Sequence, residues 1–171
     1  MSLDNAPYGG ARFPVSSFID GRLFVRFQID IGLDIMANKI DTMKGTDWLD
    51  FCKIPTPVMF MITKEQQFAE KVHAYTLPRN DRINSRVKDL VDLLLLLDQQ
   101  DFDLSACNKA LHLVFKVRGT HRLPDKLLPP PDQWEVHFHK MALDCGLNIN
   151  MDIAYKKVDS SFQKMISYTV G

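Results

Sequence analysis

The hydrophobic period of the chain changes about a third of the way along. Residues 12–19 and 22–32 alternate apolar and polar side chains, a period of two that is typical of strands with one apolar face. Asp20-Gly21 lies between them and is a strong signal for a two-residue hairpin turn. The pattern predicts a β-hairpin in which Asp30 points away from the apolar face, and a further buried strand at PVMFMI, residues 57–62.

Helical spacing replaces this alternation after Thr63. Thr63-x-x-Gln66 approximates a capping box, and Leu77-Pro78 ends the helix that it opens. The stretch SRVKDLVDLLLL predicts a second helix, in which leucines all around the circumference indicate burial. Three later helices are predicted from the capping residues Ser105, Asp132 and Asn150. The fold class is therefore α+β: a partial sheet, made of a hairpin and one strand, with helices, followed by a helical C-terminal region.

The second helix has an unusual charge pattern at its start. Ser85 is its predicted N-cap, yet Arg86 and Lys88 occupy the first turn, where the helix dipole disfavours cations by a few tenths of a kcal/mol. The spacings from Arg86 to Asp89 and from Lys88 to Asp92 allow a self-paired, solvated edge. The misplaced cations and the buried leucines beyond them favour an anion site instead. Spacing alone leaves both interpretations open.

Two further polar residues allow a structural and a functional interpretation. Lys71, in AEKVHAY, lies between Phe68 and Val72 and fits either a lysine that extends along the surface or a functional cation. Asp30, near a strand end, fits either protection of a sheet edge or binding of Mg²⁺, which prefers oxygen ligands.

The composition argues against nucleic-acid binding through overall charge, a cysteine metal site and a membrane span. The chain has 171 residues, and its 21 Lys and Arg balance its 21 Asp and Glu, so nucleic-acid binding would have to come from a local cluster. The 3 cysteines lack metal-ligand spacing and fit a reducing compartment. The longest apolar run, residues 93–97, is far below the ~20 residues that span a bilayer. We expect a cytoplasmic protein without a membrane segment.

Three segments in a fixed order carry a family resemblance. GGARFPV…DGRLFVRFQIDIG, then AEKVHAYTLPR, then SRVKDLVDL resemble the AbiEii-type nucleotidyltransferase toxins. These belong to the polymerase-β-like superfamily and occur in bacterial abortive-infection and type IV toxin–antitoxin systems. The resemblance is close over residues 9–100 and looser over residues 101–171, which include RGTHRLP and PPPDQW. It predicts the C-terminal part of a nucleotidyltransferase domain at 9–100 and a helical extension at 101–171.

The resemblance also implies an activity and a set of site residues. The activity is Mg²⁺-dependent transfer of a nucleotidyl group from a nucleoside triphosphate to an RNA acceptor such as a tRNA end, in phage defence, with a cognate antitoxin as partner. Asp30 matches a metal-binding carboxylate, Lys71 the catalytic lysine, and Asp89 a carboxylate that contributes to catalysis. The residues that match nucleotide- and phosphate-binding positions are Arg86, Lys88 and Asp92.

One motif of the family is not found in the sequence. The family's first motif is a Gly-Ser followed by Asp-x-Asp, and neither Gly9-Gly10 nor Gly45-Thr46-Asp47 supplies it. Asp101-x-Asp103 comes after the last motif and fits a turn between helices. Phosphoryl transfer needs metals held by several carboxylates, and one carboxylate does not suffice. We therefore expect an inactive fragment of such an enzyme; the alternative is a non-catalytic remnant that binds protein or RNA. Whether the chain is an enzyme stays open.

Overall fold

A computed structural model describes residues 9–32, 39–78, 86–99 and 101–168. By its internal contacts the chain divides into two compact units, Met1–Met36 and Ala37–Gly171. No helix within the described ranges is long and apolar enough to cross a membrane.

The first unit contains the predicted hairpin. Strands β1 (Gly10–Ile19) and β2 (Arg22–Gly32) pair antiparallel through Asp20 and Gly21, whose φ angles of 49° and 71° suit a two-residue hairpin turn. The side chains of the predicted apolar face of β2 are 42–55% exposed: Leu23, Val25, Phe27, Ile29 and Ile31. The hairpin therefore presents an apolar face at the surface of the described structure.

The second unit begins with another two-stranded sheet. Strands β3 (Ile40–Lys44) and β4 (Val58–Ile62) are antiparallel, with Ile40 opposite Ile62. The sequence predicted β4 but not β3, whose residues IDTMK lack an apolar alternation. The prediction that this strand is buried is wrong, because Phe60 is 79% exposed. Among the described elements β4 packs extensively only against β3, so no helix covers it.

Five helices of the described structure form the hydrophobic core. They are α1 (Lys64–Thr76), α2 (Val87–Asp98), α3 (Leu104–Arg118), α4 (Glu135–Asp144) and α5 (Met151–Ile166). Helix α3 packs against α1, whereas α4 and α5 pack against α2. The predicted burial of α2 is confirmed, since Leu93, Leu94 and Leu96 are buried and their two leucine neighbours pack against the same core.

Helices on both sides of residue 100 thus share one core. The division into a nucleotidyltransferase part at 9–100 and a helical extension at 101–171 stays a prediction. The mixed α+β class is confirmed, with two small antiparallel sheets and helices of the second unit in the described residues.

Two predicted helix caps are confirmed. The Thr63 hydroxyl accepts a hydrogen bond from the Gln66 backbone N–H at 3.2 Å, and the Asn150 side chain accepts one from the Ile153 N–H at 2.8 Å. Both bonds satisfy donors that the first helical turn leaves without a partner.

Two other predicted caps are wrong. Asp103, not Ser105, caps α3 by accepting from the Ala106 N–H at 3.0 Å, which places Ser105 inside the first turn. Asp132 makes no capping bond because it begins a 3-10 turn that runs into α4. The predicted cap Ser85 lies outside the described residues, and Arg86 occupies the N-cap position of α2 without a side-chain capping bond.

Candidate functional site

A cluster of charged side chains joins α1 to the start of α2. The Lys71 Nζ atom of α1 lies 2.6 Å from Asp92 Oδ2 and 3.4 Å from Asp89 Oδ1. Asp89 and Asp92 face α1 together because residues three apart lie on one side of a helix. We call Lys71, Arg86, Asp89 and Asp92 the α1–α2 charge cluster. The structure thus brings together residues from AEK and from RxKDxxDL, which are separated in sequence.

Asp89 is the most enclosed member of the α1–α2 charge cluster. Its side chain is 4% exposed, and its Oδ2 atom lies 3.6 Å from Arg86 Nη1. That distance is an ion pair rather than a hydrogen bond, and Oδ2 has no hydrogen-bond partner within the described part of the chain. The predicted contact between Arg86 and Asp89 is confirmed. Because a buried carboxylate oxygen without a hydrogen bond is costly, Asp89 depends on the two cations beside it.

Lys71 is held in its charged form. Its partial burial lowers the pKa of the ammonium, but the hydrogen bond and charge of Asp92, together with Asp89, outweigh burial and raise this pKa above its usual value. A lysine that only extends along the surface would leave its ammonium in water. In the structure the Lys71 ammonium lies between two carboxylates, so its position is set by α2.

Lys88 lies apart from these pairings. It is exposed, and no ion pair with Asp92 occurs among the described residues, because Asp92 is bonded to Lys71 instead. Within the α1–α2 charge cluster two cations therefore offset two carboxylates. Lys88 and the N–H groups of the first turn of α2 remain as positive groups beside it.

Asp30 lies in the hairpin of the first unit, in a side-chain pair with Arg12. The guanidinium donates from Nε to Oδ1 at 2.7 Å and from Nη2 to Oδ2 at 2.8 Å. The hydrogen bond from Arg12 lowers the pKa of the Asp30 carboxyl, and the carboxylate raises the pKa of Arg12. Both Asp30 oxygens are therefore engaged by a neighbouring strand.

The sequence did not identify Arg12 as the partner of Asp30. Counting pairs outward from the turn, where Ile19 faces Arg22, would place Ala11 opposite Asp30. An irregularity between Ser17 and Phe18 shifts the register by one residue and brings Arg12 there instead. Nothing in the alternation of the strands signals this shift.

A second polar feature joins the end of α1 to the segment RGTH. The His73 Nε2 atom lies 2.8 Å from Thr120 Oγ1, which lies 2.9 Å from His121 Nδ1. His121 Nε2 lies 2.8 Å from Thr76 Oγ1, whose hydroxyl donates to the Val72 carbonyl at 2.9 Å. We call His73, Thr76, Thr120 and His121 the His–Thr network.

The hydrogen atoms of the His–Thr network can all be placed with both imidazoles neutral. If each histidine carries its proton on Nε2, His73 donates to Thr120, Thr120 donates to His121, and His121 donates to Thr76. Burial, together with the charges of His121 and Arg118, lowers the pKa of His73 to about 4, and burial also lowers the pKa of His121. The network therefore needs no charge on either imidazole.

An ion pair strengthens the same junction. Arg118, at the end of α3, donates to Glu70 of α1 at 2.8 Å. Glu70 belongs to the AEK segment that also carries Lys71, and Arg118 begins RGTH. The sequence reading did not pair these segments, because nothing local indicates that residues 48 positions apart meet. Their contact fixes the helix that supplies Lys71.

Comparison with known families decides the identity of the chain. Residues 2–163 match the model of the family described as Nucleotidyl transferase AbiEii toxin, Type IV TA system. The chain belongs to this AbiEii family. No curated protein matches it. The match confirms the resemblance predicted from AEK and RxKDxxDL, and it extends through α3 and α4 into α5, so RGTH and the His–Thr network lie within the AbiEii region.

The AbiEii family implies a divalent cation, and the described residues do not fit one by themselves. The described ranges contain no group of three or more His, Cys, Asp or Glu side chains placed to hold a metal. The carboxylate of Asp30 is engaged by Arg12, and those of Asp89 and Asp92 face Lys71. The role of Asp30 as a metal ligand therefore stays a prediction.

The pairing of Lys71 with Asp89 is testable by a double-mutant cycle. Lys71→Met and Asp89→Asn should each lower the free energy of unfolding, because each removes one charge of a partly buried pair. The double variant should lose less free energy of unfolding than the sum of the two single losses. The difference, which is the coupling free energy of the pair, should be about 1–2 kcal/mol, because the 35% exposure of Lys71 lets water weaken the pair. Urea unfolding gives the free energy of unfolding of the wild type, the two single variants and the double variant. Lys88→Met combined with Asp89→Asn is the matched control, and strict additivity for Lys71 would contradict the pairing.

The His–Thr network predicts a pH dependence of stability. The pKa of His73 is about 4 in the folded chain and 6.5 for an unperturbed histidine, so the unfolded chain binds more protons between these values. The free energy of unfolding should therefore fall as pH falls from about 6.5 to about 4, by about 1–3 kcal/mol from His73 alone. His73→Gln should flatten this fall, whereas His139→Gln, on the exposed side of α4, should leave it unchanged. Identical pH profiles for the wild type and His73→Gln would show that His73 is not held neutral.

Proposed function

We propose that this chain forms the nucleotide-binding part of an AbiEii enzyme that transfers a nucleotidyl group from a nucleoside triphosphate to an RNA acceptor such as a tRNA end. The enzyme would act with Mg²⁺ in bacterial phage defence by abortive infection, and a cognate antitoxin would restrain it. The observation that supports this proposal is the α1–α2 charge cluster, in which Lys71 of one family segment lies between Asp89 and Asp92 of another.

The positive groups beside α2 suit a chain of phosphates. Arg86 is the N-cap residue of α2 and Lys88 lies in its first turn, at the end of the helix where the dipole attracts anions. A triphosphate at this position would also compete with Asp92 for the Lys71 ammonium, which lies 2.6 Å from that carboxylate. In this proposal Arg86 and Lys88 bind phosphate oxygens, and Asp92 contributes by holding Lys71 toward them.

Asp89 would serve catalysis from the buried side of the α1–α2 charge cluster. Its Oδ2 atom has no hydrogen-bond partner among the described residues and lies beside Arg86. A carboxylate oxygen in this state can accept the proton of an attacking hydroxyl group, while the adjacent cations offset the charge that develops on the phosphoryl oxygens. Asp30 is proposed as a metal-binding carboxylate because it matches a metal-binding position of the family.

These 171 residues do not contain the family's Gly-Ser with Asp-x-Asp. Because metals in nucleotidyl transfer are held by several carboxylates, we propose that these residues alone bind nucleotide but do not transfer it. The alternative is a non-catalytic remnant that binds protein or RNA. The exposed apolar face of β2 favours this alternative, because contiguous apolar surface often marks an interaction site.

Triphosphate binding tests the proposed anion site. A nucleoside triphosphate should raise the melting temperature of the wild type slightly, as expected for a dissociation constant on the order of 1 mM. Arg86→Gln/Lys88→Gln should abolish this rise. Lys109→Gln/Lys116→Gln, which removes two exposed cations from α3, is the matched control and should retain it. Each comparison uses matched ionic strength, because anions also stabilise proteins by exclusion from the surface. Equal shifts for both double variants would assign Arg86 and Lys88 to a solvated helix edge.

Labelled-nucleotide incorporation tests the activity. With Mg²⁺ and tRNA, these 171 residues should incorporate no more label than a reaction without protein. A chain extended by a Gly-Ser…Asp-x-Asp segment of the family should incorporate label, and Lys71→Ala or Asp89→Ala should abolish that incorporation. Incorporation by the 171 residues alone would refute the proposed inactivity. An extended chain whose activity survives both substitutions would refute the assigned roles.

A further inference from the structure

A cavity of about 400 Å³ lies at the end of α1, one turn beyond the α1–α2 charge cluster. Its walls include Tyr75 and Pro78 from that end, His121 from RGTH, and Pro124, Pro129 and Pro131 from the segment that leads to α4. This volume is in the range of small-molecule sites in proteins. The nucleotide-binding residues assigned above do not line the cavity.

The polar side-chain atoms of the walls, apart from Lys126, are already engaged within the protein. Both nitrogen atoms of His121 belong to the His–Thr network, as does the hydroxyl of Thr76. The Tyr75 hydroxyl donates to the Leu128 carbonyl at 2.7 Å. The flat, apolar surface of the cavity therefore comes from the prolines, the partly exposed ring of His121 and the small accessible part of Tyr75, which is 5% exposed.

Lys126 is the exception among the charged groups. It lines the cavity, its side chain is exposed, and its ammonium makes no hydrogen bond or ion pair in the described part of the chain. The cavity thus combines flat apolar walls with one available cation. An aliphatic ligand would leave the cation without a partner, whereas a free inorganic anion would leave the ring surfaces uncovered. A planar ring that carries a negative group satisfies both.

The position of the cavity relates this chemistry to the α1–α2 charge cluster. Tyr75 follows Lys71 by four residues, so both lie on the same side of α1 and about 6 Å apart along its axis. A nucleotide unit consists of a planar heteroaromatic base and a phosphate. Bases stack readily on flat ring surfaces, and lysine pairs with phosphate.

We propose that this cavity binds one nucleotide unit, with its base against the walls formed by Tyr75, His121 and the prolines and its phosphate on Lys126. The inference rests on the proposed function, because a nucleotide beside the transfer site would be either the end of the RNA acceptor or a second free nucleotide. Both sources share the same chemistry. The site differs from the triphosphate site at Arg86 and Lys88.

Nuclear magnetic resonance titration of the complete chain tests this proposal. Adenosine 5′-monophosphate should shift the backbone amides of Thr76, Leu77, residues 121–123 and residues 125–128. Adenosine and ribose 5-phosphate, each lacking one half of the nucleotide, should bind more weakly than the whole. Lys126→Gln should weaken binding about three- to five-fold, as expected for one exposed charge pair, and the control Lys109→Gln should leave it unchanged. Equal loss in both variants, or ribose 5-phosphate binding as well as the nucleotide, would overturn the proposal.

A short single-stranded oligoribonucleotide separates the two sources. Tighter binding of the oligoribonucleotide than of the mononucleotide at the same amides would identify an RNA end, and the reverse order would identify a free nucleotide.

The double variant Arg86→Gln/Lys88→Gln separates the cavity proposal from the proposed function, and it should leave the cavity shifts in place. If the double variant abolishes triphosphate binding and no ligand shifts the cavity amides of the wild type, the cavity proposal fails and the proposed function stands. If the cavity shifts persist and triphosphate never binds, the proposed function fails. Concentration-dependent shifts of the same amides without nucleotide would place a second copy of the chain there and overturn the proposal.

Discussion

The helical unit depends on the burial of α2 from nearly every side. A helix with leucines around its circumference cannot lie on a surface, so α1, α4 and α5 must all pack against it. Its polar first turn is then drawn close to the core, and Asp89 becomes almost fully enclosed. A carboxylate in that position needs cations, and Lys71 and Arg86 supply them. The α1–α2 charge cluster is thus a consequence of the way the core is built.

This dependence explains why the same residues can serve structure and function. The ammonium of Lys71 holds α1 against α2, and in the proposed function it is also the group that a phosphate contacts. On that proposal an anion beside α2 would redistribute hydrogen bonds that already exist rather than create a site from free side chains. Glu70, paired with Arg118, and the His–Thr network join the rest of α1 to RGTH independently of Lys71.

The sequence predicted the elements of the fold better than it predicted their partners. The hairpin, α1 and the buried α2 each have a local signal: a turn dipeptide, a capping threonine, a run of leucines. Strand β3 has none, because its stability comes from pairing with β4. The cap of α3 was misassigned because Asp103 and Ser105 both lie near its start, and the cap of α4 because a 3-10 turn without a side-chain cap precedes that helix.

The candidate site shows the same limit. The spacing of Arg86 and Asp89 predicted a contact that the structure contains, because both lie on one helix. The pairing of Lys71 with Asp92 rather than Lys88 with Asp92 depends on how two helices approach each other. Likewise, the partners of Glu70 and His73 come from RGTH, far along the chain. Such contacts follow from packing, which no local pattern encodes.

In the first hairpin, the number of residues in each strand decides which side chain faces Asp30. Arg12 faces Asp30 only because β2 carries one extra residue, Phe24, between the partners of Phe18 and Ser17. An insertion or deletion between the turn and Arg12 would leave both side chains in the sequence but would place another residue opposite the carboxylate. The number of residues in β1 therefore controls the charge that Asp30 meets as directly as the identity of Arg12 does.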